Sequence, residues 1–354
     1  MTDLRFALRQ LRYAPAFTVT ALATIAICLG ANLAMFAAIE AILLRPLPFL
    51  VATSGWTTHS RSAVRVGFAI YDIVGRKRNA GVSPELHLPR GKLESAAATR
   101  RLFPGVDERG LSGGAVWYDY QIRYPDRLIW TVALAAREAN ARLINYVEAI
   151  GPGQGGVRVR DVISDREAVI DAKSTIVAAG SGMGSVLKAF GVEGAPPMLR
   201  AMNMLLNRPA RDIATAAPGS SGRMLTAVPW QGYILVRTHQ SQEPVNGNED
   251  RPPDQAIDAF LADANKAFPR LSAQRQDIRL LHYGLVPAVA KGRGVDLLPE
   301  PAIARHTGTG GSHVVSLVGV KFTTARWAAE RAVTLACRDL GGHHRRSRTA
   351  VAPL

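Results

Sequence analysis

Cysteine is nearly absent. Among 354 residues only Cys28 and Cys337 carry thiols, and no CxxC spacing occurs. That excludes a disulfide framework and a structural zinc site, and no metal site is expected. Acids are also scarce, with 28 Asp and Glu against 43 Lys and Arg, giving a formal net charge of +15. Such an excess attracts anionic lipid, nucleic acid or phosphorylated small molecules and constrains partners more than fold. Aromatic residues make up only 6%, so no stacking platform accompanies the basic charge, and no nucleic acid partner is expected. Beyond Leu50 no stretch offers eighteen apolar residues in a row, which excludes a multi-span channel. What is present suffices to fold: 47% hydrophobic and 20% charged residues supply apolar surface to offset the entropy of ordering.

The one long apolar run lies at the start. From Tyr13 to Ile39 there are 27 residues without a charge, enough to cross a bilayer as one helix and longer than the apolar core of a cleaved signal peptide. Arg5, Arg9 and Arg12 before it favour a cytoplasmic N-terminus, against which Arg45, Arg61 and Arg65 act. Residues 1–49 resemble the opening of bacterial permeases of the macrolide-exporter type. The expectation is a single-pass protein of the bacterial inner membrane, with the side of its soluble part left open.

After this run the pattern is α/β, with helix-like stretches alternating with short β-branched runs and Gly/Pro turns. Helices are predicted over Ala63–Val74, Arg127–Ala141, Pro253–Phe268 and from about Thr324 to Leu340. Strands are predicted over Leu143–Ala149, Val157–Val162, Ser174–Ala179 and His313–Val318, with a hairpin of Met224–Pro229 and Tyr233–Thr238 around Trp230-Gln231-Gly232. Gln242 to Arg251 reads as a polar surface loop.

Three glycine sites invite comparison. Gly151, Gly153 and Gly156 spell GxGxxG, but the residues after them alternate as a strand, so the site reads as a hairpin turn and not as the opening of a phosphate-binding helix. At Gly180 an apolar strand runs into glycines and then a short helix, which suits either close nucleotide approach or an ordinary tight turn. At Gly319-Val320-Lys321-Phe322-Thr323-Thr324 a strand ends beside a cation and the start of a helix. Free N–H groups and an ammonium there suit negative charge, unless Thr323 or Thr324 serves only as a cap.

Taken in order, these pieces resemble the FAD-dependent glycerol-3-phosphate dehydrogenase family of D-amino-acid-oxidase-like flavoproteins, from about Pro46 to Leu340. The likeness rests on Pro46 to Val51, Ala69-Ile70-Tyr71-Asp72, the stretch Gly113 to Asp119, Ala178-Ala179-Gly180, Val228-Pro229-Trp230, Ala267-Phe268-Pro269 and Gly319 to Arg326. The last is similar to the family's Gly-Gly-Lys-x-Thr-Thr-Tyr-Arg loop. The resemblance implies FAD as cofactor, held at Ala179, Gly180, Gly319, Val320, Lys321, Phe322, Thr323 and Thr324. It implies a small phosphorylated alcohol as substrate, Lys321 beside the flavin, and an electron acceptor of unknown identity. His239 is the candidate base that removes the hydroxyl proton.

The departures are equally specific. The family's opening strand, GxGxxG turn and helix are not found in this sequence. Val286 stands where the family has a substrate-handling arginine, and Arg237 where it has glycine. A catalytically inactive fusion or membrane protein with an incomplete FAD site is therefore the alternative. The expected architecture is an incomplete FAD-binding Rossmann-like domain with an antiparallel-sheet substrate domain, preceded by one transmembrane helix. Its parts are a membrane segment (1–45), a partial FAD-binding domain with helical insert (46–195), a substrate domain (196–285), a returning FAD-binding segment (286–340) and a basic tail (341–354).

Overall fold

The computed structural model describes residues 44–55, 60–220, 222–245, 251–292, 294–309, 313–319, 321–341 and 347–349. The first third comprises β1 (Leu44–Ser54), α1 (Arg61–Val74), β2 (Lys92–Glu94), α2 (Ala96–Leu102), β3 (Leu111–Ile122) and α3 (Pro125–Glu138). Next come β4 (Val147–Gly153), β5 (Gly156–Asp161), β6 (Glu167–Asp171), β7 (Thr175–Val177) and α4 (Met183–Ala189). The chain continues through β8 (Met198–Pro209), β9 (Ala214–Pro218), β10 (Met224–Trp230), β11 (Tyr233–Gln240) and α5 (Asp254–Ala267). It ends with β12 (Ile278–Lys291), β13 (Gly294–Leu297), β14 (Ala302–Thr307), β15 (His313–Val318) and α6 (Phe322–Asp339).

These elements form an α/β fold with three sheets. The largest has nine strands in the order β13-β12-β8-β11-β10-β9-β1-β3-β2; the others are β14-β15-β7 and β4-β5-β6. The large sheet is antiparallel except where β1 runs parallel to β9, and β15 pairs parallel with β7. Alternation sorts its side chains onto two faces. One face carries Leu50, Val116, Met202, Met204, Leu206, Leu225 and Val236 and packs on Phe260, Ala264 and Ala267 of α5. The other carries Leu47, Phe49, Leu205, Val228 and Leu235, with Trp117, Trp230 and Tyr233 against them.

The sheet curls around this second face. Gln121 Nε2 donates to Pro229 O at 2.8 Å, and Trp230 Nε1 donates to Arg123 O at 3.0 Å. Those contacts join the end of β3 to the β10–β11 turn, although β9 and β1 stand between β10 and β3 in the strand order. Three strand steps in a flat sheet span roughly 14 Å. Only a curled sheet brings its members that close.

The structure corrects several expectations. Leu44 to Ser54 forms an interior strand and not the end of a membrane segment or the start of a cofactor domain; β1, β2 and β3 all belong to the nine-stranded sheet. Pro46 and Pro48 argue locally against a strand because they lack N–H donors. They are tolerated because β9 pairs with β1 only from Phe49 onward, leaving that side of residues 44–48 without a strand beside it. At the other boundary, β12 runs past residue 285 to Lys291 and carries β13 with it, so the sheet also claims the start of the expected returning segment. The strand expected at 143–149 is displaced to Val147–Gly153, where Pro152 is accommodated on the edge of β4-β5-β6.

Other features fold as their patterns suggest. Gly151, Gly153 and Gly156 lie in the antiparallel β4–β5 hairpin, and β10 and β11 pair around Gln231-Gly232. Helix α3 forms but buries no residue, leaving Ile129, Trp130 and Val132 exposed. Among the described residues no helix is long and apolar enough to cross a membrane, and the run Tyr13 to Ile39 lies outside them.

Candidate functional site

The small sheet creates the first feature. Strands β7 and β15 run side by side and in parallel, with Val177 opposite Ser316. Their carboxyl ends therefore deliver Ala178-Ala179-Gly180 and Gly319 with Lys321 to one edge. In open α/β sheets the crevice beyond the carboxyl ends of parallel strands is where ligands sit. Gly180 adopts φ +55°, and a Cβ there would meet nothing within 4 Å. At Gly319 a Cβ would meet only Pro301, at 3.8 Å. Both turns thus face open space.

Helix α6 begins at this edge. Lys321 is its N-cap residue, and no side chain caps the helix. Thr324 Oγ1 donates to Lys321 O at 3.2 Å instead of accepting from the first turn, so the purely capping role considered for the threonines is not what the fold adopts. Thr324 N–H donates to Lys321 O at 3.3 Å, and the positive end of the helix dipole lies beside the Lys321 ammonium, which donates to Pro299 O at 3.3 Å and is otherwise exposed. Ala179, Gly180, Lys321, Phe322 and Thr323 are exposed and Thr324 is half-buried; Val320 lies outside the described residues. The Gly180–Gly182 turn lies against β12, tying this corner to the large sheet.

A second feature, not anticipated as a unit, is a polar row on the curled face. Arg237 follows Leu235 by two residues on β11, Asn203 precedes Leu205 by two on β8, and His282 of β12 pairs opposite Asn203. Arg237 is half-buried and has no ion pair among the described residues. Burial pushes its guanidinium below the ordinary value, with the charge of Asp119 acting the other way. Asn203 Oδ1 is buried without a hydrogen-bond partner. His282 packs edge-on against Trp230, with ring centroids 5.4 Å apart.

His239 lies elsewhere. It pairs with Met202 on the helix-covered face, and its ring stacks on Phe260 of α5 at 4.7 Å. It lines a cavity of about 650 Å3 together with Arg200, Arg223, Gln240 and Asp263. Its Nδ1 stands 3.6 Å from Asp263 Oδ2. Neither Gly180 nor any described residue of 319–324 lines that cavity. The two expected catalytic side chains, Lys321 and His239, therefore occupy different places, on different parts of the fold.

Burial holds the His239 imidazole below its ordinary value of 6.5; Asp263 opposes this, and Arg200 and Arg223 add to the depression. With the folded value below the unfolded one, the unfolded chain takes up this proton first as pH falls. Stability present above about pH 6.5 is then lost below it, toward the depressed value. The expected result is a melting temperature that falls between about pH 7.5 and 5.5, and falls less steeply in His239→Gln. Parallel pH profiles for the two proteins in thermal denaturation would refute this.

Sequence reasoning missed Arg200, Asn203, Asp263 and His282. One signal was legible: Phe260, Asp263, Ala264 and Ala267 recur at helical spacing, which puts an acid on the apolar face of α5.

A small mixed sheet with ligand-ready strand ends, joined to a larger curled antiparallel sheet, is the two-part plan of a flavoprotein oxidoreductase. The FAD dependent oxidoreductase family, DAO, matches residues 71–335, and the chain belongs to that family. Glycerol-3-phosphate dehydrogenase of Synechocystis sp. is 23% identical over 314 residues, covering 82% of this chain and 55% of that protein. Glycerol-3-phosphate dehydrogenase 1 of Mycobacterium tuberculosis is 27% identical over 308 residues, covering 83% and 58%. The chain spans a little over half the length of these relatives. In fold it is similar to the glycerol-3-phosphate dehydrogenase from Bacillus halodurans complexed with FAD, at TM-score 0.63 and 18% identity over 88% of this chain and 55% of that one. Glycine oxidase from Geobacillus kaustophilus follows at TM-score 0.55 and 15% identity, covering 91% and 79%.

FAD is the cofactor of this family, and the strand-end corner fits one end of it. Open space at Gly180 and Gly319, uncapped N–H groups and the Lys321 ammonium suit a ring that gains negative charge. Among the described residues no glycine-rich turn leads from a parallel strand into a long helix, so the pyrophosphate end has no equivalent cradle there.

Proposed function

We propose that the protein is an FAD-dependent dehydrogenase acting on a small phosphorylated alcohol, of the glycerol 3-phosphate type. The reading is carried by one observation: Gly180, Gly319 and Lys321 follow the carboxyl ends of two paired parallel strands, beside a helix N-terminus without a side-chain cap. Similarity to the glycerol-3-phosphate dehydrogenases supports the substrate class. When bound, FAD supplies the hydride acceptor.

In this reading the chain's own groups divide the remaining work. Ala179, Gly180 and Gly319 let backbone approach the ring, while Lys321 and the first turn of α6, from Phe322 to Thr324, supply positive charge beside it. Arg237 takes the anionic end of the substrate, because a half-buried guanidinium without an ion pair suits a ligand that brings its own charge. Asn203 Oδ1, an unpartnered acceptor in the same row, suits a hydroxyl donor. His239 has no part in this step, since the helix-covered face separates it from the row. Attachment to the membrane through Tyr13 to Ile39 belongs to the same reading.

The test is purification of the full chain, followed by anaerobic addition of glycerol 3-phosphate. The protein should sediment with membranes, require detergent for release, carry flavin absorbance in near-stoichiometric amount and bleach on addition of the substrate. A folded but colourless protein that FAD does not reconstitute would support the inactive alternative instead.

A further inference from the structure

Oxidation of an alcohol needs a group that takes the hydroxyl proton, and His239, the residue expected for it, lies on the helix-covered face against Phe260. A second histidine stands on the other face. His282 of β12 pairs directly opposite Asn203 of β8. Residues opposed in this way share a face of the sheet, with Cβ atoms about 5 Å apart. The edge-on contact with Trp230 places the ring on the curled face independently, since Trp230 packs against the core there.

The ring is held in place, yet its nitrogens are not taken. Trp230 Nε1 donates to Arg123 O at 3.0 Å, which fixes the indole, and the indole meets the imidazole at 80°. The imidazole makes no hydrogen bond or ion pair among the described residues, and it is half-buried, so that water stays within reach. Alternation puts Gly284 on the same face, two residues further along β12. It pairs opposite Ala201, and a Cβ on Gly284 would meet nothing within 4 Å. Space for a small alcohol therefore opens beside His282. The strand that carries it is also the one against which the Gly180–Gly182 turn lies.

The other members of the polar row are not bases. A guanidinium stays protonated, and an amide oxygen accepts a hydrogen bond without holding the proton. Asp119, whose charge acts on Arg237, is exposed, and its Oδ1 already accepts from Tyr120 N–H at 2.8 Å. Imidazole is the side-chain group whose proton exchange suits neutral pH. We propose that His282 is the general base of the alcohol oxidation, an assignment that rests on the flavin reading above. Its ring takes the hydroxyl proton, while Asn203 Oδ1 accepts from a second hydroxyl and Arg237 holds the phosphate. The carbon's hydrogen leaves with its bonding pair as hydride to the flavin, the O–H pair becomes the second carbon–oxygen bond, and the resulting imidazolium gives its proton to water.

Stopped-flow bleaching of the full, flavin-loaded chain by glycerol 3-phosphate without oxygen reads the chemical step alone. His282→Gln and His282→Asn should each slow it at least about a hundredfold, with the half-saturating substrate concentration within about threefold. His239→Gln should stay within about twofold of the wild type, because its ring lies on the opposite face. A second readout needs no turnover: carbethoxylation of His282 by diethyl pyrocarbonate, followed by mass spectrometry of the digested chain, should be lost at saturating glycerol 3-phosphate, while that of His239 persists. Should both His282 variants misfold, this labelling of the wild type carries the test. Bleaching of a folded His282→Gln within about threefold of the wild-type rate, or labelling of His282 that substrate leaves untouched, would overturn the assignment and leave the flavin reading standing. A wild type that glycerol 3-phosphate fails to bleach would overturn both.

Discussion

Arg237→Met is expected to raise the KM for a phosphorylated alcohol about a hundredfold, leave kcat within about threefold, and raise the melting temperature. The opposite signs follow from one arrangement. Arg237 is half-buried on the curled face and has no ion pair among the described residues; the charge of Asp119 opposes the effect of burial on it without displacing it. An unpaired guanidinium kept from water destabilises the free protein, so an apolar side chain of similar length removes that cost. The same lack of a partner makes it receptive to a substrate oxyanion, and two charge-assisted hydrogen bonds correspond to about 3 kcal/mol, or roughly a hundredfold in affinity. Oxidation of the corresponding phosphate-free alcohol should be indifferent to the change. If Arg237→Met lowered stability and left KM alone, the residue would be part of the scaffold and its assignment to substrate would fail.

Phe260→Ala should cost about 3–5 kcal/mol of folding free energy, a large part of the margin of an ordinary domain. Phe260 is fully buried at the centre of the main core, where α5 meets Met202, Met204 and Val236 of the large sheet. Its ring also forms one side of the stack on His239. Truncation leaves a cavity that neighbouring strands cannot close without giving up their register, and it frees the imidazole. Urea denaturation followed by circular dichroism measures the loss. Phe260→Leu, which keeps most of the volume, should lose clearly less. A loss below about 1 kcal/mol for the alanine variant would mean that α5 does not anchor this face.

Much of the strand-end corner was legible because its signals are local. The run from His313 to Val318 reads as a strand from its β-branched content, Gly319 ends it, and the following residues read as a helix; the structure places the strand at those residues and starts the helix at Phe322. The same holds for the β10–β11 hairpin, where the turn residues adjoin both strands. Leu44 to Ser54 was illegible for the opposite reason. It follows an apolar run, contains two prolines, and becomes a strand only because β3, some sixty residues later, pairs along its whole length. The helix at 183–189 and the turn at Gly180 were visible as a strand–turn–helix, but their place against β12 was not.

The amino-acid sequence by itself determined the family, the hairpin and helices with strong local patterns, and the glycine and lysine residues at the strand ends, since each signal lies within a few neighbouring positions. Tertiary structure alone decided which side of the large sheet each polar residue occupies. Alternation along β8 and β11 divides Met202 from Asn203 and Val236 from Arg237, but it does not say which set α5 will cover. That choice, together with a register shift between Val236 and His239 that breaks the alternation of β11, put His239 beneath the helix with Asp263 and left Arg237 with Asn203 on the open, curled side. It rests on long-range strand pairing and helix docking, whose free energy comes from contacts between residues far apart in the chain.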